Sequence, residues 1–285
     1  MKIKKTLKNI PIAYLLLKYP YRILFRPLAL YNQIQHNRFR KKCYKEFYAG
    51  KKIINTSFGN QSVQYLAFSP KNYWHMKNGS QNEDKFAEVL FNKYVLENDV
   101  ILDIGGHSGL YTIPFAKKVG ENGTVYVCEP EDIGFNAIIT NIELNKIENV
   151  TPIKIAVSDN NDNIKFYTRP DKDTHSIFME TTAPSPTGNQ TEKVIKAMTV
   201  ESIIKKYDLN SVGLVKVDVE GAELKVLDGI NESAHLIRAI LVEIHEAFLK
   251  LDNIHNPHQA VQSKLNQLGF SNQTYLDEIH ILATH

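Results

Sequence analysis

Five short apolar runs, VILDI (100–104), TVYVC (124–128), VTPIKI (150–155), LVKVDV (214–219) and AILVEI (239–244), are separated by stretches of helical periodicity near 109–119, 133–144, 200–207 and 222–229. Strands that alternate with helices pair in parallel through crossovers, which predicts a parallel sheet with helices on both faces. The end of the chain departs from this rhythm. A helix near 258–268 is followed by FSNQTY and HILATH, close enough to form a hairpin and so to add one antiparallel strand. Upstream, SVQYLAF (62–68) reads as a short strand and 84–94 as a helix, and the polar stretch 181–191 reads as a surface loop.

The first run leads into the turn Asp103-Ile104-Gly105-Gly106-His107-Ser108-Gly109 and then a helix. In open α/β sheets this is where a nucleotide-type ligand sits. The dinucleotide fingerprint fails, because a match starting at Gly105 needs glycine where His107 and Leu110 stand. Asp103 would repel a pyrophosphate but attract an ammonium or sulfonium, which points to S-adenosylmethionine. Glu129, closing the second strand, can accept from ribose hydroxyls.

Farther on, LVKVDVEGAELKVLDG (214–229) places Lys216, Asp218 and Glu220 at alternate positions of one extended run, and LVEIHE does the same with Glu243 and His245. Buried charges in such strands are costly unless paired or employed. If the two strands are neighbours, Asp218, Glu220, Glu223 and His245 converge at the carboxyl edge of the sheet. An ion pair from Lys216 to a carboxylate is the plain structural alternative for part of this set.

DIGGHSG, VCEP, IKAMTVESII, LVKVDVEGAELKVLDG and LVEIHE, in this order and spacing, resemble the FkbM-type S-adenosylmethionine-dependent methyltransferases over roughly residues 80–285. Two positions depart: His107 stands where the family commonly has Asn, and Val200-Glu201 where it commonly has Leu-Asp. The resemblance implies the class I methyltransferase fold, a Rossmann-like α/β/α arrangement around a seven-stranded, mostly parallel sheet with an antiparallel terminal strand. It also implies O-methylation of a hydroxyl on a sugar, glycolipid or polyketide-like acceptor. The cofactor contacts then expected are Asp103, Gly105, Gly106, His107, Gly109, Glu129, Pro130, Asn136, Ser158 and Asp218.

Methyl transfer to an unactivated hydroxyl needs a group to take its proton, and Asp218, Glu220 and His245, with Lys216 beside them, are the catalytic candidates. Magnesium held by Asp218, Glu220 and Glu223 is the alternative. Glu243, with His175 and Ser176 in the segment 171–180, is expected on the acceptor. An NAD-dependent sugar oxidoreductase and a non-catalytic Rossmann-like binding module are the other readings left open.

The net charge of +3 hides an asymmetry, since residues 1–45 hold twelve Lys/Arg and no Asp or Glu, leaving 22 basic against 31 acidic residues afterwards. The expected organisation is a basic amphipathic helical extension (1–50), a small cap (51–95) and the methyltransferase domain (96–285). The extension suits either an anionic membrane surface or packing on protein. Its longest uncharged apolar run, 10–17, is short for a span. Nucleic acid is not expected as a partner, because the body is acidic. With two cysteines, Cys43 and Cys128, no disulfide framework can form. The expected location is the cytoplasm, with peripheral contact at the inner membrane face.

Overall fold

A computed structural model describes residues 20–82, 84–168 and 191–285, and the chain divides into two compact units between Gly50 and Lys51. In the first unit Pro20–Tyr48 form one helix, α1. It stops where Gly50 takes φ +89 and the amides of Ala49 and Gly50 turn back to the Lys45 and Phe47 carbonyls. Among the described residues no helix is long and apolar enough to cross a membrane.

The second unit opens with a hairpin of β1 (Ile53–Phe58) and β2 (Gln61–Leu66). The strands turn through Gly59 and Asn60, both at positive φ as a two-residue hairpin demands. Helices α2 (Pro70–Asn82) and α3 (Asp84–Lys93) follow. The strand-helix alternation then begins with β3 (Val100–Ile104), α4 (Thr112–Val119), β4 (Thr124–Cys128), α5 (Asp132–Leu144) and β5 (Val150–Ile153). Strands β6 (Ala156–Val157), β7 (Asn163–Thr168) and β8 (Thr191–Met198) come next, then α6 (Val200–Lys206), β9 (Leu214–Val217) and α7 (Glu223–Asp228). The chain closes with β10 (Ala239–Glu243), α8 (Glu246–Leu251), α9 (Pro257–Gln267), β11 (Asn272–Tyr275) and β12 (His280–Thr284).

The main sheet has the order β11-β12-β10-β9-β3-β4-β5, with β12 antiparallel to both its neighbours and the rest of the ladder parallel. This is the class I methyltransferase arrangement the sequence implied. The chain winds outward from β3 to β5, then returns to lay β9 on the other side of β3. That reversal opens a crevice at the carboxyl ends of β3 and β9. The central strands are buried because helices cover both faces: all four residues of β9 are buried, Lys216 among them. Val215, Val217, Ile240 and Val242 pack with Val226 and Leu227 of α7 and Val261 and Leu265 of α9.

Several elements differ from the sequence expectation. The helix expected from residue 109 starts at Thr112, because Gly109 sits at φ +81 and the turn has not yet closed. Helix α2 and the sheet β6-β8-β7 were not anticipated. In the latter, Ile164, Phe166, Ile195 and Ala197 pack against Ala156 and Ala222, and Val157 and Met198 reach the main core. His175, Ser176 and nearly all of the expected loop lie outside the described residues.

The hairpin is tied to the glycine turn by polar contacts. Asn141 of α5, fully buried, accepts from the Leu66 amide at 2.7 Å and donates to the Ser108 carbonyl at 2.8 Å, while the Tyr65 hydroxyl donates to Leu110 O at 2.7 Å. Asn141→Ala strands a donor and an acceptor. It should lower unfolding stability in urea by at least about 2 kcal/mol, and a loss under half of that would mean the hairpin is held by apolar packing instead.

Candidate active site

The turn after β3 is built for close approach. A Cβ on Gly105, at φ +82, would lie 1.8 Å from the Asp218 carbonyl oxygen, and one on Gly106 would meet the Val127 side chain at 2.2 Å. Only glycine therefore lets the turn pass between the ends of β9 and β4. Glu129, just past β4 and 5% exposed, accepts from the His107 amide and the Glu131 amide at 2.8 Å each, one on either oxygen. Each oxygen keeps accepting capacity. Burial outweighs these two donors and pushes its carboxyl up to about 7, so the group is short of donors. A ribose diol supplies two. The cradle and Glu129 both fit an adenosyl cofactor.

At the ends of β9 and β10 lies a charged array. Lys216, 3% exposed, is 3.1 Å from Asp218 Oδ2 and 3.4 Å from Asp103 Oδ1, with its Nζ 4.8 Å over the Tyr111 ring. Although burial disfavours its charge, the Asp218 and Asp103 carboxylates hold it above its ordinary value. His245 stands among four carboxylates. Its Nδ1 meets Glu223 Oε1 at 2.7 Å, and its Nε2 lies 3.6 to 3.7 Å from Asp218, Glu220 and Glu243. Against the cost of burial, Glu223 and then Asp218 and Glu220 raise the imidazole to about 10. Asp218 is lowered despite its burial, by Lys216 and His245. Glu220 goes the other way: burial, with Asp218 and Glu243 nearby, outweighs His245 and lifts it to about 7.

A cavity of about 250 Å³ joins the two clusters, with Gly105, Gly106, His107, Glu129 and Pro130 on one wall and Lys216, Asp218, Glu220 and Glu243 on the other. Other expected residues stand elsewhere. Asp103 is fully buried, accepts from the Thr112 hydroxyl at 2.6 Å and pairs with Lys216, so it is not the free anion that the charge argument assumed. Asn136 is exposed on α5. Ser158 is buried and donates to Asp159, and Gly109 shapes the turn behind the cavity. None of these four lines it.

The face-sharing of Asp218 and Glu220 also has a different origin. Strand β9 ends at Val217, and Glu220 reaches the cavity through a backbone at φ +53, not through the pleat. Glu223 binds the Gly221 amide and His245 and leaves the expected magnesium set. Among the described residues, Asp218, Glu243 and His245 are the ones whose ligand atoms gather, all within 4.8 Å of one another.

Several lining residues escaped the sequence reading. Lys71, Asn72 and Met76 come from the unanticipated α2, and Asn72 Nδ2 reaches Ser108 Oγ at 3.4 Å. His280 on β12 meets Glu243 Oε2 at 3.2 Å. HILATH contained it, but nothing in a single short strand says that it faces Glu243.

The family model described as methyltransferase FkbM domain matches residues 103–272, more than half of the chain. The hexuronic acid methyltransferase AglP of Haloferax volcanii is 24% identical over 186 residues, which cover 65% of this chain and 71% of that protein. Methyltransferase 1 of Beauveria bassiana is 26% identical over 163 residues, 52% of this chain and 65% of that one. Among solved structures, an FkbM methyltransferase from Methylobacillus flagellatus aligns at a TM-score of 0.42 and 12% identity, over 89% of this chain and 60% of that one. The nicotinamide reading is set aside by the family match. With its glycine turn, its acidic β4 terminus and its sheet order all in place, the chain belongs to the FkbM methyltransferase domain family and is an S-adenosylmethionine-dependent methyltransferase.

Proposed function

We propose that the protein methylates a hydroxyl of a sugar, in a carbohydrate or glycolipid acceptor, and that Glu220 takes the hydroxyl proton. One observation carries this reading. Glu220, lifted to about 7, lines the same cavity as the glycine turn and Glu129. A general base works best with its pKa near the operating pH. The sugar class is supported by the relative named as a hexuronic acid methyltransferase.

The other candidates fit the base role less well. Asp218 is lowered by Lys216 and His245, so it stays ionised and accepts hydrogen bonds without taking a proton readily. His245, expected as a candidate base, is a cation at neutral pH and has no free lone pair. It serves instead to hold three carboxylates around the reaction side of the cavity.

In the cofactor half, Gly105 and Gly106 admit the chain of the cofactor against the sheet edge, and Glu129 accepts its ribose hydroxyls. Bound there, the cofactor supplies a methyl carbon on a cationic sulfur, open to displacement by oxygen. Asp218 and Glu243 accept hydrogen bonds from the acceptor and orient its hydroxyl. With the cofactor in place its methyl group would go to the acceptor oxygen, and Glu220 would take the proton that the hydroxyl gives up.

Two outcomes are expected. A labelled-methyl screen of uronic-acid-containing and neutral glycans supplies the acceptor, and Glu220→Gln should then lower kcat at least a hundredfold while affinity for S-adenosylhomocysteine stays within a few-fold. In the unaltered protein kcat should rise with pH through about 7. Because the folded pKa of Glu220, about 7, lies above the ordinary 4.5 of such a carboxyl, the group costs stability increasingly as pH rises between those two values. Glu220→Gln should accordingly melt higher than the parent at pH 8, and normal turnover in this variant would sink the assignment.

Glu129 generates the second outcome. Hydroxyl donors favour its charged form, so binding should lower its pKa from about 7 and release protons. Affinity for S-adenosylhomocysteine should therefore rise with pH through about 7. Calorimetric titration in buffers of different ionisation enthalpy reads the released protons directly. Glu129→Gln should abolish that release and weaken binding at least tenfold, about 1.4 kcal/mol. Unchanged affinity would place the ribose elsewhere.

A further inference from the structure

The geometry points to His280 as a positioning residue for Glu243, clamped from behind by Asp277 and Phe86. Strand β12 runs antiparallel to β10 with Glu243 directly opposite His280. The imidazole, 7% exposed, sets Nε2 at 3.2 Å from Glu243 Oε2 and Nδ1 at 2.7 Å from Asp277 Oδ2. Its ring stacks on Phe86 of α3 with centroids 4.4 Å apart and planes 21° apart. Asp277 is itself fixed, since its Oδ1 accepts from the amides of Ile279 and His280 at 2.9 and 2.7 Å.

This arrangement leaves the ring no freedom. Rotation about its last torsion is blocked by the Phe86 face, and a flip would exchange good nitrogen contacts for carbon ones. Each ring nitrogen faces one carboxylate oxygen, Glu243 on the side of the site and Asp277 behind it. Consistently, although burial disfavours the charge, Glu243 and Asp277 raise His280 above its ordinary value. Glu243 is thereby strung between two imidazoles, with Oε2 on His280 and Oε1 3.6 Å from His245 Nε2. Its position over the cavity is fixed without any contact to the cavity from His280.

Phe86, Asp277 and His280 all lie outside the matched residues 103–272. Segments from before and after the matched core thus meet behind one carboxylate of the site. The role rests on the proposed reading of Glu243 as an acceptor contact, and its test separates the two.

Long-range ¹H–¹⁵N spectra of the full chain at pH 7.5 should show both ring nitrogens of His280 protonated. In Asp277→Asn, a change at a half-exposed surface position that leaves the ring on Phe86, the ring should become neutral with one tautomer. A neutral His280 in the unaltered chain overturns the clamp. With methyl glucuronide, or whichever glycan the acceptor screen returns, Asp277→Asn and His280→Gln should each raise the acceptor KM at least tenfold. Affinity for S-adenosylhomocysteine should stay within twofold. Combining either with Glu243→Gln should add nothing beyond Glu243→Gln alone. Additive losses, or an unchanged acceptor KM, would reduce His280 to packing. Should no glycan be methylated at all, the acceptor reading falls, while the spectra still decide whether His280 is held between two carboxylates.

Discussion

A single buried cation organises the site. Lys216 stands in the central strand of the sheet, opposite Asp103 in the register of the neighbouring strand, and reaches Asp218 at the strand's end. A lone ammonium at that depth would be strongly destabilising, and so would either carboxylate without it. Together they are tolerated, and the chain is bound to a specific register because a slip of β9 against β3 would separate them. The consequence reaches the chemistry. With Asp218 held ionised by Lys216, its charge adds to the raising of Glu220, which leaves one carboxylate of the pair fixed as an anion and the other close to neutrality.

The fold was legible where the strands are buried on both faces. VILDI and TVYVC are found as strands with the expected ends, because a doubly covered parallel strand writes itself as an unbroken apolar run. The terminal hairpin was legible from spacing alone. The sheet β6-β8-β7 was not, since TEKVIKAM alternates charge with apolar residues and leaves Val194 67% exposed, a pattern that a solvated loop could equally show. Helix α2 was hidden for a similar reason: KNYWHMKNGSQN is polar, and its buried Tyr73 and Met76 are too few to mark a face.

The site divides along the same line. Glycines and carboxylates at strand ends were readable because their chemistry is local: Gly105 and Gly106 are required by clashes with specific neighbours, and Glu129 follows directly on β4. Pairings across the sheet were not readable. Lys216 was recognised as an ion-pair candidate, but its partner Asp103 precedes it by more than a hundred residues, and the argument that Asp103 is a free anion failed for that reason. His245 was expected as a candidate base from its place at the end of the neighbouring strand. Its charge state is decided by Glu223, Asp218 and Glu220, which only the folded chain assembles.

The charge balance of the array gives the proposed reaction its internal consistency. Around the cavity and behind it, Asp103, Asp218, Glu223, Glu243 and Asp277 are met by Lys216, His245 and His280 through the contacts already described. The excess is negative, and Glu129 and Glu220 add to it when ionised. A site of that sign favours a cationic methyl donor over an uncharged one. A donor that delivers its methyl group from a cationic centre would give up one positive charge in doing so, and in the proposed reaction a proton taken by Glu220 would offset that unit within the cavity. A base fixed at low pKa, such as Asp218, could not make that exchange near neutral pH, and a cation such as His245 could not accept the proton. The separation of roles between neighbouring groups therefore follows from the burial of Glu220, from Lys216 beside Asp218 and from Glu223 beside His245.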